Sequence, residues 1–160
     1  MIFRLAEAAD IPALVELRFA YLREDRGTLS ASEEQALCRQ LPAYFHAHLG
    51  RDCFAYVCEE GERIVSTVLL LVTERPANPS FLTGRIGTVV NVYTRPSYRR
   101  RGLAGALMKQ AMDAAVPLGL SYLELSATEA GASLYRKLGF APRQSRYLSM
   151  KYELPAPSEE

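Results

Sequence analysis

The chain has 160 residues, enough for one domain with a continuous core, and its 49% apolar and 23% charged residues exclude a disordered polymer. A formal net charge of +1 gives no global pull toward nucleic acid or an acidic membrane surface. Three cysteines (Cys38, Cys53 and Cys58) form no C-x-x-C spacing, and His46 and His48 face different ways on a helix, so neither a zinc site, a disulfide framework nor any other metal site is expected. The longest apolar stretch, residues 68–72, is far too short to cross a bilayer. Arg4, Glu7 and Asp10 interrupt any leader-like run, so no secretory leader is expected and the cytoplasm is the default location.

Residues 2–6 read as a short strand. Asp10 then suits an N-cap, with Pro12 in the first turn of a helix carrying Leu14, Leu17, Phe19, Tyr21 and Leu22. Residues 27–30 form a loop, and Ser32 is the expected cap of a second helix to about Leu49, kinked or broken at Pro42. Strands at 53–58 and 63–73 flank a turn with Gly61, and 75–84 is an exposed loop. The valine-rich run 86–93 is a long central strand, broken near Pro96. Residues 102–116 form an amphipathic helix with Leu103, Leu107, Ala111 and Ala115 on one face, ended by Pro117 and Gly119. A strand at 121–127 and a helix at 130–138 follow, the helix stopped by Gly139 with Phe140 behind it. The last strand material is 141–154, and 155–160 is a frayed tail. No internal repeat or linker interrupts residues 1–154, which read as one domain.

Arg95, Arg99, Arg100 and Arg101 crowd the join between the central strand and the amphipathic helix. A helix N-terminus already carries free N–H groups and about half a positive charge, so such a cluster is unfavourable unless an anion sits among it. Phosphate is the natural candidate, and Gly102, Ala104 and Gly105 let the backbone approach it closely. An exposed basic turn is the plainer alternative, but it leaves the charge uncompensated. No G-K-[ST] ending and no G-x-G-x-x-G fingerprint is present.

At these residues the sequence resembles the GNAT superfamily of N-acetyltransferases. Its R/Q-x-x-G-x-G/A motif is filled by Arg99-Arg100-Arg101-Gly102-Leu103-Ala104, and the order of elements is similar over nearly the whole chain. The resemblance implies an α/β (α+β three-layer) GNAT-like acyltransferase fold, a mixed, mostly antiparallel sheet flanked by helices. It implies acetyl-CoA as co-substrate, with main-chain groups near Arg99, Arg100, Arg101, Gly102, Leu103, Ala104 and Gly105 on the pyrophosphate. Val92, Tyr93 and Thr94 would hold the pantetheine arm beside a strand bulge near Asn91 or Val92. A second match, residues 128–140, resembles the family's N-x-x-A-x-x-L-Y-x-K-L-G-F, but Thr128 replaces the asparagine and Gly131 the alanine. A hydroxyl at Thr128 would only partly replace the asparagine's cofactor contact.

Tyr135 falls where the family places a general acid. A departing thiolate benefits from a proton, which a phenol of pKa about 10 retains at neutral pH. The plainer reading is a packed helix tyrosine. Glu124 is the candidate for taking the amine's proton, or else an outward-facing charge opposite Leu123 and Leu125. Acceptor contacts are expected from Glu16, Arg18, Tyr21, Glu24 and Asp25, or these form a solvated helix face. The resulting expectation is acetyl transfer to an unidentified amine, with a catalytically degenerate acetyl-CoA sensor as the alternative. A nucleic-acid partner is disfavoured because the basic loop lacks interleaved aromatics beyond Tyr98, no membrane partner is expected, and a homodimer is left open.

Overall fold

The computed structural model describes residues 1–157, so the end of the expected tail lies outside the described residues. Strand β1 (Ile2–Leu5) leads into helix α1 (Ile11–Arg26) and helix α2 (Ala31–His48). Strands β2 (Cys53–Glu60), β3 (Arg63–Glu74) and β4 (Arg85–Thr94) follow, then helix α3 (Leu103–Ala115), strand β5 (Leu123–Glu124) and helix α4 (Glu129–Lys137). The sheet order is β1-β2-β3-β4-β5, antiparallel through β4 and parallel only between β4 and β5. This is the mixed, mostly antiparallel sheet that the resemblance implied.

Side-chain alternation divides the core into two layers. Tyr56, Val65, Val68 and Leu70 meet Leu103, Leu107, Met108 and Ala111 of α3 on one face. On the other, Cys53, Ala55, Val57 and Leu69 meet Ile11, Leu14 and Leu17 of α1 and Phe45 of α2. Burial pushes the Cys53 thiol up to about 11, so it behaves as a small apolar side chain.

Local capping differs from expectation in two places. Asp10 does not cap α1: it ends a preceding 3₁₀ turn, accepts the Glu7 N–H at 2.7 Å and takes both Arg4 Nη1 and Nη2 at 2.7 and 2.9 Å. A guanidinium fork offers the carboxylate more than a single helix N–H does. The cap of α2 is Ser30 rather than Ser32. Ser30 Oγ accepts the Glu33 N–H at 3.2 Å, and Glu33 returns an acceptor to the Ser30 N–H at 2.7 Å. Pro42 lies inside α2 without ending it.

Arg4 holds the Asp10 carboxyl below its ordinary 3.8. The stability this supplies is present above that value and is lost as pH falls through the depressed folded-state pKa. Asp10→Asn is therefore expected to cost about 1–3 kcal/mol at neutral pH. Denaturant midpoints should show that cost vanishing on acidification below the ordinary carboxylate pKa.

The C-terminal elements are shorter than expected. Strand β5 spans two residues where 121–127 was expected, and among the described residues no regular element follows α4. Leu148, Met150, Tyr152 and Leu154 keep the alternation of a strand, yet no neighbouring strand pairs with them and all four are exposed. Alternation makes a segment competent to pair; a ladder also needs an available edge in register.

Candidate active site

Strand β4 delivers the chain to the arginine loop, whose backbone turns twice through the left-handed region, at Arg100 (φ 62) and Gly102 (φ 75). Such turns fold N–H groups inward into an anion-binding concavity. The first carbonyl used by α3 is that of Gly102, which accepts from Ala106 at 3.0 Å. The N–H groups from Arg100 to Gly105 consequently find no main-chain acceptor among the described residues. A Cβ built on Gly102 meets nothing within 4 Å, because the loop borders a cavity of about 610 Å³. Tyr93, Arg100, Gly102, Ala104, Gly105 and Thr128 are among its walls.

The arginines are not uncompensated, contrary to expectation. Arg95 Nη2 pairs with Glu16 at 2.9 Å while its Nε donates to the Ile64 carbonyl. Arg99 Nη2 pairs with Glu24 at 2.5 Å, Nε donates to the Thr94 carbonyl, and the Glu24 contact raises the Arg99 pKa. These two brace the loop against α1. Arg100 lines the cavity without a carboxylate partner among the described residues, whereas Arg101 turns to the Ser97 carbonyl and the Tyr98 ring.

Beside the loop the sheet opens. Between the pairs Thr67–Tyr93 and Leu69–Val90, both Asn91 and Val92 stand opposite Val68 alone, a bulge at the expected position. Asn91 takes the left-handed conformation (φ 52), which asparagine tolerates better than valine does. On the other edge, β5 pairs with β4 only at Gly87 and Thr88. A Cβ on Gly87 would lie 2.5 Å from Leu123 Cδ2 and 2.8 Å from Leu120 Cδ1, so a side chain there would make these leucines shift. From Val89 to Thr94 the outer edge of β4 has no strand beside it among the described residues, and Val92, Tyr93 and Thr94 line the large cavity. A second cavity of about 370 Å³ continues along the opening, sharing Tyr21, Asp25, Val92 and Thr128 with the first and adding Tyr135.

Helix α4 begins at Thr128, whose Oγ1 accepts the Gly131 N–H at 3.1 Å. Its end is a Schellman turn: Gly139 donates to the Arg136 carbonyl and Phe140 to that of Tyr135, both at 3.0 Å. That turn sets the Phe140 ring edge-on to Tyr135, centroids 6.2 Å apart. At the other end, a Cβ on Gly131 would come within 3.1 Å of Tyr135 Cε2 and 3.2 Å of Thr128 Oγ1. The two departures from the family pattern therefore fit each other, glycine making room for the ring beside the capping threonine. Burial, and then Tyr21, raises the Tyr135 pKa, so its phenol holds its proton.

Glu124 lies on β5. Its carboxylate is bound by Arg143 and accepts from Thr88 Oγ1 at 3.3 Å, and it lines a separate cavity with Tyr122 and Phe140 that Tyr135 does not reach. Of the five acceptor candidates, Glu16 and Glu24 are engaged by arginines, leaving Arg18, Tyr21 and Asp25 on the second cavity. Sequence reading missed Asn91 as a site residue in its own right; a lone amide in a valine run was the available signal. Among the described residues no cluster of His, Cys, Asp and Glu could hold a metal, and no helix is long and apolar enough to cross a membrane.

Residues 12–140 match the family model of the acetyltransferase (GNAT) family. The chain is similar to a predicted acetyltransferase from Clostridium acetobutylicum solved with acetyl-CoA, at 26% identity and TM-score 0.81, covering 94% of this chain and 95% of that one. It is also similar to a GCN5-related N-acetyltransferase from Ralstonia eutropha JMP134, at 28% identity and TM-score 0.74, covering 93% and 97%. A ribosomal-protein-alanine N-acetyltransferase from Brucella melitensis biovar Abortus 2308 shares the fold, at 22% identity and TM-score 0.66, covering 94% and 100%. No curated protein sequence matches the chain significantly.

Proposed function

Because the chain belongs to the acetyltransferase (GNAT) family, we propose that it transfers the acetyl group of acetyl-CoA to a primary amine within a ternary complex, with Tyr135 as general acid. One observation carries this reading: the unpartnered N–H groups of Arg100 to Gly105 open onto the same slot that runs past the Asn91 bulge toward Tyr135. The N–H groups and the α3 dipole fit a diphosphate, and the uncovered edge of β4 at Val92, Tyr93 and Thr94 fits an extended amide-bearing arm. Thr128 borders both cavities, and its Oγ1 accepts the Gly131 N–H that caps α4 while its own O–H stays available to donate.

The bound thioester supplies an activated acetyl group. The chain's residues supply alignment and a proton. The backbone cradle and the β4 edge fix the acyl group beside the acceptor cavity, converting a bimolecular encounter into a local one. As the amine nitrogen bonds to the carbonyl carbon, the C–S bond breaks and its electron pair leaves with sulfur. Tyr135 delivers its proton there, and the proton shed by the newly acylated nitrogen passes through solvent to restore the phenol. Glu124 is left out of this scheme because Arg143 and Thr88 engage its carboxylate. The neutral form of the amine is the attacking species.

Titration with acetyl-CoA followed by addition of an amine panel tests the reading. Binding by calorimetry, and release of free coenzyme A thiol when an amine is added, are the expected results. Tight binding without release across a broad panel favours the sensor, in keeping with the engaged Glu124. Absence of binding overturns both.

A further inference from the structure

On the footing of that acyl-transfer reading, we propose that the acceptor amine carries an oxyanion group, carboxylate or phosphate, held by Arg18 in the cavity shared with Tyr135. Among the described residues, Arg4, Arg18, Arg85 and Arg95 are the arginines drawn partly into the fold. Arg4 lies between Asp10 and Glu59, Arg85 meets Glu74 at 2.6 Å, and Arg95 meets Glu16 at 2.9 Å. Arg18 alone of these four has no carboxylate. Its Nη1 reaches the Asn91 Oδ1 at a long 3.4 Å, and its guanidinium lies 5.7 Å from the Tyr21 ring centre.

A cation removed from water without a counter-charge is costly, and proteins ordinarily supply the partner, as this chain does three times over. Burial pulls the Arg18 pKa below its ordinary value, Tyr21 and Tyr44 offset this only in part, and Arg26 lowers it further. The Asn91 amide and the Tyr21 ring position the guanidinium but supply no counter-charge. The cavity of about 370 Å³ that Arg18 borders has room for one. It is the size of a small-molecule site, and a guanidinium fork matches the two oxygens of a carboxylate or phosphate. Asp25 lines the same cavity yet forms no ion pair with Arg18, its nearest cation being Arg26 Nε at 3.9 Å. Arg26 lines this cavity too, so its two guanidiniums outnumber the one carboxylate and the surplus positive charge complements an oxyanion on the acceptor. Arg18 is absent from the walls of the larger cavity, where the N–H cradle lies, so the coenzyme's diphosphate does not account for it.

Matched amines test this: alanine against alaninamide, leucine against leucinamide, and phosphoethanolamine against ethanolamine. Coenzyme A release is measured with the native chain, Arg18→Met and Arg18→Lys, and kcat/KM is expressed per unprotonated amine. The native chain should prefer the anionic member of at least one kind of pair roughly 10- to 100-fold, mostly through KM, as a charge-assisted contact implies. The amino-acid and phosphate arms identify which oxyanion is used. Arg18→Met should reduce the ratio to within about threefold, and Arg18→Lys should keep part of it, since lysine retains the charge and loses the fork. Melting temperatures near the native value show that both variants fold. Neutral members turning over as well as anionic ones, no anionic member turning over, or a preference that survives in Arg18→Met overturns the proposal. Acetyl-CoA titration on the same samples separates the two levels: if the coenzyme does not bind, the acyl-transfer reading itself fails. If it binds and charge makes no difference, only the acceptor class is wrong.

Discussion

Tyr135→Phe should lower kcat roughly 10²- to 10⁴-fold while leaving acetyl-CoA affinity close to native. The substitution removes one oxygen and keeps the ring, so the edge-on contact with Phe140 and the fit beside Gly131 both survive. On the proposed mechanism, only proton delivery to the departing sulfur is lost. The pH dependence adds a second readout whose sign is fixed. The acid form is the active one, so activity due to Tyr135 declines as pH rises through its pKa. Burial first and Tyr21 second raise that pKa above the ordinary 10.0, so ionisation of Tyr135 should not reduce kcat between pH 7 and 9. A falling limb belongs above pH 10 in the native enzyme and should be missing from the phenylalanine variant. An unchanged kcat in the variant would remove Tyr135 from the chemistry. A loss confined to acetyl-CoA affinity would make it a binding residue instead.

What the sequence disclosed follows the reach of its physics. Local signals spoke clearly: the valine run became β4, the amphipathic pattern became α3, and Gly139 with Phe140 became the turn that ends α4. Even the bulge near Asn91 was expected, though on resemblance rather than on spacing. Choices between equivalent local partners were not legible. Ser30 and Ser32 each have an acid or amide three residues on, and Glu33 decides between them by charge. Long-range electrostatics was least legible. Glu16 and Glu24 on α1 neutralise Arg95 and Arg99, residues separated by most of the sheet in sequence, so an apparent charge cluster is in part a set of braces. Arg18 stands out only because those pairs are known. In the sequence it was one polar residue among several on a helix face.

Gly102→Val should abolish acetyl-CoA binding, by at least about 100-fold or 2.7 kcal/mol. Two effects of the substitution must be separated. The left-handed φ of 75° strains any side chain, by about 1–2 kcal/mol, and that cost falls on the free protein. Steric obstruction falls on the complex alone, because the new Cβ has nothing of the protein within 4 Å. Gly102→Ala shares most of the strain and little of the bulk. A lowered melting temperature in both variants, with affinity far lower in valine than in alanine, assigns the loss to a filled cradle. Gly105→Ala gives the opposite contrast. Gly105 sits in α3 with ordinary helical backbone, and its Cβ would meet Leu134 Cδ1 at an unstrained 3.6 Å. Alanine there should stabilise the fold by about 0.5–1 kcal/mol. It should also weaken acetyl-CoA binding, because the methyl enters the cavity that Gly105 borders. Stability and affinity moving in opposite directions cannot come from general damage to the structure. Native affinity in the Gly102→Val protein, measured by calorimetry, would mean that the N–H groups from Arg100 to Gly105 hold no diphosphate.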